Sequence, residues 1–173
     1  MTTRCLGWID LATTGIKPDD QILGVAAAVT DCDFNLVAVR YYPIALTDLP
    51  DDVPSRVVEG HTANGVLQQT QQSEIAQTLG DATVRIVSFF QDNECVIRDV
   101  DWYTPLCGYG VGFDRLFLKS QMSKLNSLFD LCEFDVKALF NVMQIDARAA
   151  SKPFLHPEQV LKESIRLCQE NLK

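Results

Sequence analysis

The sequence predicts an α/β fold: a mixed central sheet with an antiparallel three-strand meander, flanked by helices. Three stretches carry that expectation. Ile22 to Thr30 is a nearly continuous apolar run, too short for an ordinary globular helix, so it reads as a buried central strand. Asp31-Cys32-Asp33 turns the chain, and Asn35 to Ile44 returns as an extended partner. Pro105 to Leu118 reads as a short buried strand from Leu106, a glycine-opened turn, and then a helix with Asp114 in its first turn.

The remaining elements follow in order. Arg4 to Ile9 is a short apolar strand, and Asp10 to Asp20, with Gly15 and Pro18, is a turn-rich loop. Together with the two strands that follow, Arg4 to Ile9 makes the meander. Thr47 to Ser55 is an acidic, proline-containing loop, and His61 to Gly65 is expected as a turn. Gln68 to Gln72 reads as a solvated helix end. Ser73 is an N-cap candidate for a helix carrying Ala76, Leu79, Thr83, Ile86, Val87 and Phe90 at helical spacing. Asp92 to Tyr103 connects this helix to the next strand and holds a short edge strand, with Trp102-Tyr103 as a packing or interface anchor. Asp114 to Gln121 is helical, Lys124 to Phe129 is a helical turn, and Asp135 caps a helix to about Met143. Pro157 suits the first position of a last helix, with Val160, Leu161, Ile165 and Cys168 as its apolar stripe.

At 173 residues, 47% hydrophobic and 22% charged, the chain fits a single domain over 1–173 with a sizeable core. The net charge of −8 argues against a protein that coats long nucleic acid, but leaves room for a small acidic pocket holding a cation and a short nucleotide. No apolar run is long enough to span a membrane and no secretory signal stands at the start, so an intracellular, cytoplasmic protein is expected. The six cysteines lack any C-x-x-C pair, and the only histidines are His61 and His156, so reduced core thiols are expected rather than a zinc site.

Two stretches taken together, Trp8-Ile9-Asp10-Leu11-Ala12-Thr13-Thr14-Gly15 and Pro105-Leu106-Cys107-Gly108-Tyr109-Gly110-Val111-Gly112-Phe113-Asp114, resemble the metal-site motifs of the DEDD-type 3'-5' exonucleases, the oligoribonuclease branch above all. The resemblance extends over nearly the whole chain. It implies an RNase H-like exonuclease fold. It further implies phosphodiester hydrolysis by two divalent ions held on four carboxylates, with a histidine as general base.

The chain keeps the first and third of those carboxylates, Asp10 and Asp114. The second position is Ala12. Aligning Lys162-Glu163-Ser164-Ile165 with the family's last helix puts Val160 at the fourth carboxylate and Leu155 at the histidine. His156 stands one residue off, and five residues on from it is Leu161. Two carboxylates cannot balance two divalent ions, so the expectation is one weakly held Mg²⁺ or Mn²⁺ between Asp10 and Asp114. Glu158 and Glu163 are the substitute ligands to weigh. Glu158 points about 200° round the helix from Val160, and Glu163 lies about 4.5 Å further along the axis.

For the substrate, the resemblance gives Ile16 the place of a wedge between bases and leaves His61, in His61-Thr62-Ala63-Asn64-Gly65-Val66, as a phosphate contact or a structural turn residue. An aromatic five residues before that histidine is replaced by Arg56. The Tyr-Arg pair and serine that cap a substrate across the family's dimer are Leu131, Cys132 and Lys137 here, with Lys137 as a point-charge replacement. The combined expectation is a non-hydrolytic oligoribonuclease-like protein that binds a short oligonucleotide or dinucleotide, or assembles as a homodimer or with another protein. The alternative is an active 3'-5' exonuclease using substitute ligands.

Overall fold

The computed structural model describes residues 4–95, 98–99, 102–129, 131–150 and 154–172. Strands β1 (Cys5–Thr13), β2 (Ile22–Asp31) and β3 (Leu36–Pro43) form the antiparallel meander, followed by helices α1 (Ser55–Ala63), α2 (Val66–Thr70) and α3 (Leu79–Asp92). A two-stranded ribbon, β4 (Arg98–Asp99) with β5 (Trp102–Tyr103), leads into β6 (Leu106–Gly108). Then come α4 (Val111–Gln121), α5 (Ser123–Asn126), β7 (Glu133–Asp135), α6 (Val136–Met143) and α7 (Pro157–Asn171). β6 and β7 add in parallel on the far side of β1, so the mixed sheet runs β3-β2-β1-β6-β7.

The alternation of a strand sends successive side chains of β1 and β2 to opposite faces. Ile9, Val25, Ala27 and Val29 pack with Ile86 and Phe90 of α3 and Phe117 and Leu118 of α4. Trp8, Ala26 and Ala28 pack with Phe140 of α6 and Leu161, Ile165 and Cys168 of α7. Each such large side chain contributes about 1.5–3 kcal/mol on burial. The Trp8 indole N–H, fully buried, donates to Thr30 Oγ1 at 3.0 Å.

Several boundaries differ from expectation, each for a local reason. β1 does not stop at Ile9 but runs to Thr13, because Leu11 to Thr13 pair with Val25 to Ile22, with an irregularity between Ala12 and Thr13. His61 lies within α1 and not in a turn; the turn falls later, at Gly65, whose φ is 81°. Ser73 caps nothing. The backbone of Gln77 is held by Pro43 and Ala45 at the sheet edge, so α3 begins only beyond it, capped by Thr78, whose Oγ1 accepts from the Asp81 N–H at 3.1 Å. The short edge strand expected before Leu106 is the ribbon β4–β5. Tyr103 is 52% exposed, and the Trp102 side chain lies outside the described residues. Among the cysteines, which form no disulfide, Cys5, Cys95, Cys107 and Cys168 are buried and Cys32 and Cys132 exposed.

Candidate active site

The site forms where the ends of β1 and β6 meet the starts of α4 and α7. Gly110 opens α4 with φ 77°, a conformation glycine adopts without steric cost. Its N–H donates to Asp135 Oδ1 at 3.0 Å, and the same oxygen accepts from the N–H groups of Lys137 and Ala138, capping α6 as the sequence predicts. This junction places Asp114 in the first turn of α4 against β1. Asp114 is 2% exposed, and its Oδ1 accepts from the Leu11 N–H at 3.0 Å.

Asp10 and Asp114 sense one another. Burial drives the Asp114 carboxyl well above the ordinary range and the charge of Asp10 pushes it further, while N–H groups of Leu11 and Asp114 itself pull it back. Burial pushes Asp10 up to about 8. Arg115, the cation next to Asp114 in sequence, is engaged by Glu133 at 2.8 Å. Two neighbouring carboxylates, Asp114 buried and Asp10 half-buried, are hard oxygen donors of the kind one divalent ion with retained waters takes. Among the described residues no group of three or more histidine, cysteine, aspartate or glutamate side chains gathers as a metal cluster.

The position of the second expected carboxylate is filled differently. Asp10, Ala26 and Tyr41 form one row across the meander, and Ala12, Gly24 and Pro43 form the next. A Cβ on Gly24 would overlap the Tyr41 hydroxyl, so the phenol occupies space that only glycine leaves open. Ala12 is 2% exposed and clusters with Leu23 and Val66, against which Tyr41 packs. The Tyr41 hydroxyl is buried with no hydrogen-bond partner among the described residues. Burial raises its pKa, with the charge of Asp10 adding to the effect.

A cleft of about 410 Å³ opens at the end of β1, lined by Leu11, Thr13, Gly15, Ile16, Arg56, Val57, His61, Phe113, Phe154, Leu155 and Val160; Asp10, Ala12, Tyr41 and Asp114 are not among its lining residues, and Leu11 is the link to the carboxylate pair. Ile16, His61, Leu155 and Val160 are thus brought together. Val160 is half-buried on the cleft wall and not in the core stripe that Leu161, Ile165 and Cys168 form. Ile16 is 81% exposed. His61 Nε2 lies 3.1 Å from the Thr13 carbonyl, which can only accept, so this nitrogen carries the proton. Burial lowers the His61 pKa, which keeps the ring neutral.

Other candidates fall elsewhere. Lys137 stands beside Gly110, and the residues that line the cleft do not include it. His156 is the N-cap of α7: its Nδ1 accepts from the Glu158 N–H at 3.3 Å, its Nε2 faces Gln69 Oε1 at 3.3 Å, and its ring packs 4.3 Å from that of Tyr41. Glu158 holds Lys162 and Glu163 holds Arg166, and neither glutamate lines the cleft.

Sequence reasoning missed Phe154 on the cleft wall and Tyr41 beside Ala12. Phe154 has φ 55°, its ring lies on Gly60 and 5.5 Å from His61, and its carbonyl accepts from Asn64 Nδ2 at 3.1 Å. Nothing in the sequence marks that loop. Tyr41 did have a signal, because a glycine inside a buried strand announces a close approach.

No family model matches the chain. Oligoribonucleases do match it by sequence. That of Haemophilus ducreyi is 31% identical over 144 residues, covering 80% of this chain and 74% of the relative. That of Shewanella amazonensis is 30% identical over 137 residues, covering 76% and 71%. That of Neisseria meningitidis is 31% identical over 137 residues, covering 78% and 70%. The chain belongs to the oligoribonuclease family. Among solved structures, the metal-free Escherichia coli ExoI–ssDNA complex superposes with a TM-score of 0.66 at 15% identity, covering 96% of this chain and 39% of that one. The zinc-bound form of the same complex gives 0.64 at 17%, covering 96% and 40%, and exonuclease I of Methylocaldum szegediense gives 0.59 at 17%, covering 86% and 30%. These likenesses show a shared exonuclease fold, of which this chain spans well under half of each neighbour's length.

Proposed function

We propose that this chain is a non-hydrolytic oligoribonuclease-fold protein that holds the end of a short oligonucleotide in the cleft at the end of β1, whose lining residue Leu11 follows Asp10 and donates its N–H to Asp114. The observation that carries the reading is that Val160 and Leu155 both line the cleft, while Ala12 is packed into an apolar cluster beside Tyr41. An apolar wall can hold a base. It offers no oxygen to a second cation and no nitrogen to a water. If a cation binds, Asp10 and Asp114 hold it, and it would supply charge to fix a phosphate. Self-association belongs to the same proposal, with Leu131, 86% exposed two residues before β7, as the surface to test.

The second reading is an active exonuclease working from the Asp10–Asp114 pair. The convergence of those two carboxylates favours it, and the commitment of Glu158 and Glu163 to their helical ion pairs leaves it short of ligands. A single titration separates the two. A diribonucleotide is added with EDTA or with Mn²⁺, thermal unfolding is followed, and the nucleotide is then recovered. The proposal expects a raised Tm and intact dinucleotide. Mononucleotide product that vanishes in Asp114→Ala would establish the second reading instead.

A further inference from the structure

We infer that Arg56 is the phosphate anchor of this cleft and that it grips a nucleotide without any metal. The inference rests on the nucleotide-binding reading and names the group that replaces metal-held phosphate.

Arg56, Val57 and His61 sit on one side of α1 and face the cleft together. Arg56 is the one lysine or arginine among the described residues lining it. No hydrogen bond or ion pair engages Arg56 among the described residues, whereas Arg115, Arg148 and Arg166 are all held by carboxylates. The other polar groups of the cleft are spent. His61 gives its Nε2–H to the Thr13 carbonyl, and the Thr13 hydroxyl donates to the Gly15 carbonyl at 2.7 Å.

The remaining walls are Leu11, Ile16, Val57, Phe113, Leu155 and Val160, with the Phe154 ring at the rim. A site that is apolar apart from one uncommitted guanidinium fits a flat, weakly polar body carrying one anionic group. A nucleoside monophosphate is such a ligand, with its base against the apolar walls and its phosphate accepting a forked pair of N–H bonds from arginine. The cleft volume of about 410 Å³ suits a single such unit. In a chain with a net charge of −8, one local cation also sets where an anion settles.

The test is calorimetric binding of adenosine, adenosine 5'-monophosphate, adenosine 3'-monophosphate and inorganic phosphate to the full chain in EDTA. It is repeated with Mn²⁺, on the parent, Arg56→Leu and Arg56→Lys. The expected result is monophosphate binding at least tenfold tighter than adenosine in EDTA. Arg56→Leu should erase that preference and leave adenosine unchanged, Arg56→Lys should keep part of it, and added salt should weaken it. Monophosphate binding that requires Mn²⁺, or that is indifferent to Arg56→Leu, overturns the anchor and leaves the nucleotide-binding reading standing. Equal binding of inorganic phosphate and monophosphate overturns the anchor as a nucleotide contact. Failure of every ligand to bind under both conditions overturns both.

Discussion

Asp10 is where stability and chemistry pull apart. Its carboxyl is raised to about 8 by burial, against about 4 in an unfolded chain. Between those values the folded protein holds a proton that the unfolded chain has released. The contribution of Asp10 to stability therefore falls as pH rises from about 4 toward 8. Asp114, raised for the same reason and by Asp10 itself, acts in the same direction. Asp10→Asn should flatten part of this slope and exceed the parent in Tm at pH 8. Equal pH dependence of the two proteins would show that the Asp10 carboxyl is not raised by folding. Mn²⁺ at pH 8 should raise the parent Tm and not that of Asp10→Asn. Asn64 tests the cleft wall: its side chain donates to the Phe154 carbonyl at 3.1 Å and the Leu155 carbonyl at 3.4 Å. Asn64→Ala should cost about 1–2 kcal/mol and speed amide exchange around 154–155. At this scale the sequence made Asp10, Asp114, Ile16 and His61 visible because their neighbours form motifs. It marked Arg56 only as the replacement of an aromatic, and it hid Phe154, which a loop without a motif carries to the cleft.

Elements were legible where a cap or a period marked them, and obscure where the sheet edge competed. Asp135 and Pro157 mark the starts of α6 and α7 in the sequence and in the structure. Ser73 misled because Gln77 gives its backbone to the sheet first, a long-range demand that no local cap reveals. The α4–α6 junction concentrates three hydrogen bonds on Asp135 Oδ1. Asp135→Ala should cost about 2 kcal/mol, near the upper end for a lost cap, because the Gly110 N–H loses its partner as well. Chemical denaturation measures this, and a loss under about half that value would mean that water replaces the carboxylate.

Across the whole molecule, the meander explains why the second ligand position is closed. Small residues at 12, 24 and 26 leave a trough in the sheet, and Tyr41 lies in it with His156 packed on its ring. Putting a carboxylate back at 12 means burying it in an apolar cluster, at about 2 kcal/mol or more. Ala12→Glu should therefore destabilise the parent strongly and a Tyr41→Val background less, and the difference is readable as a coupling energy. Additive losses would mean that Tyr41 does not fill the space a side chain at 12 needs. The fold class was legible because strand order and apolar runs are written along the chain. The trough was not, because it arises only when three strands come into register.

In the proposed function the scaffold holds a nucleotide end and does not cut it. An end-labelled diribonucleotide incubated with Mn²⁺ tests this most directly. The natural chain is compared with a version carrying Ala12→Glu, Leu155→His and Val160→Asp, with and without Tyr41→Val. Intact dinucleotide is expected with the natural chain, and mononucleotides from the restored chain once Tyr41 is reduced. Metal-dependent trimming by the natural chain, lost in Asp114→Ala, would contradict it.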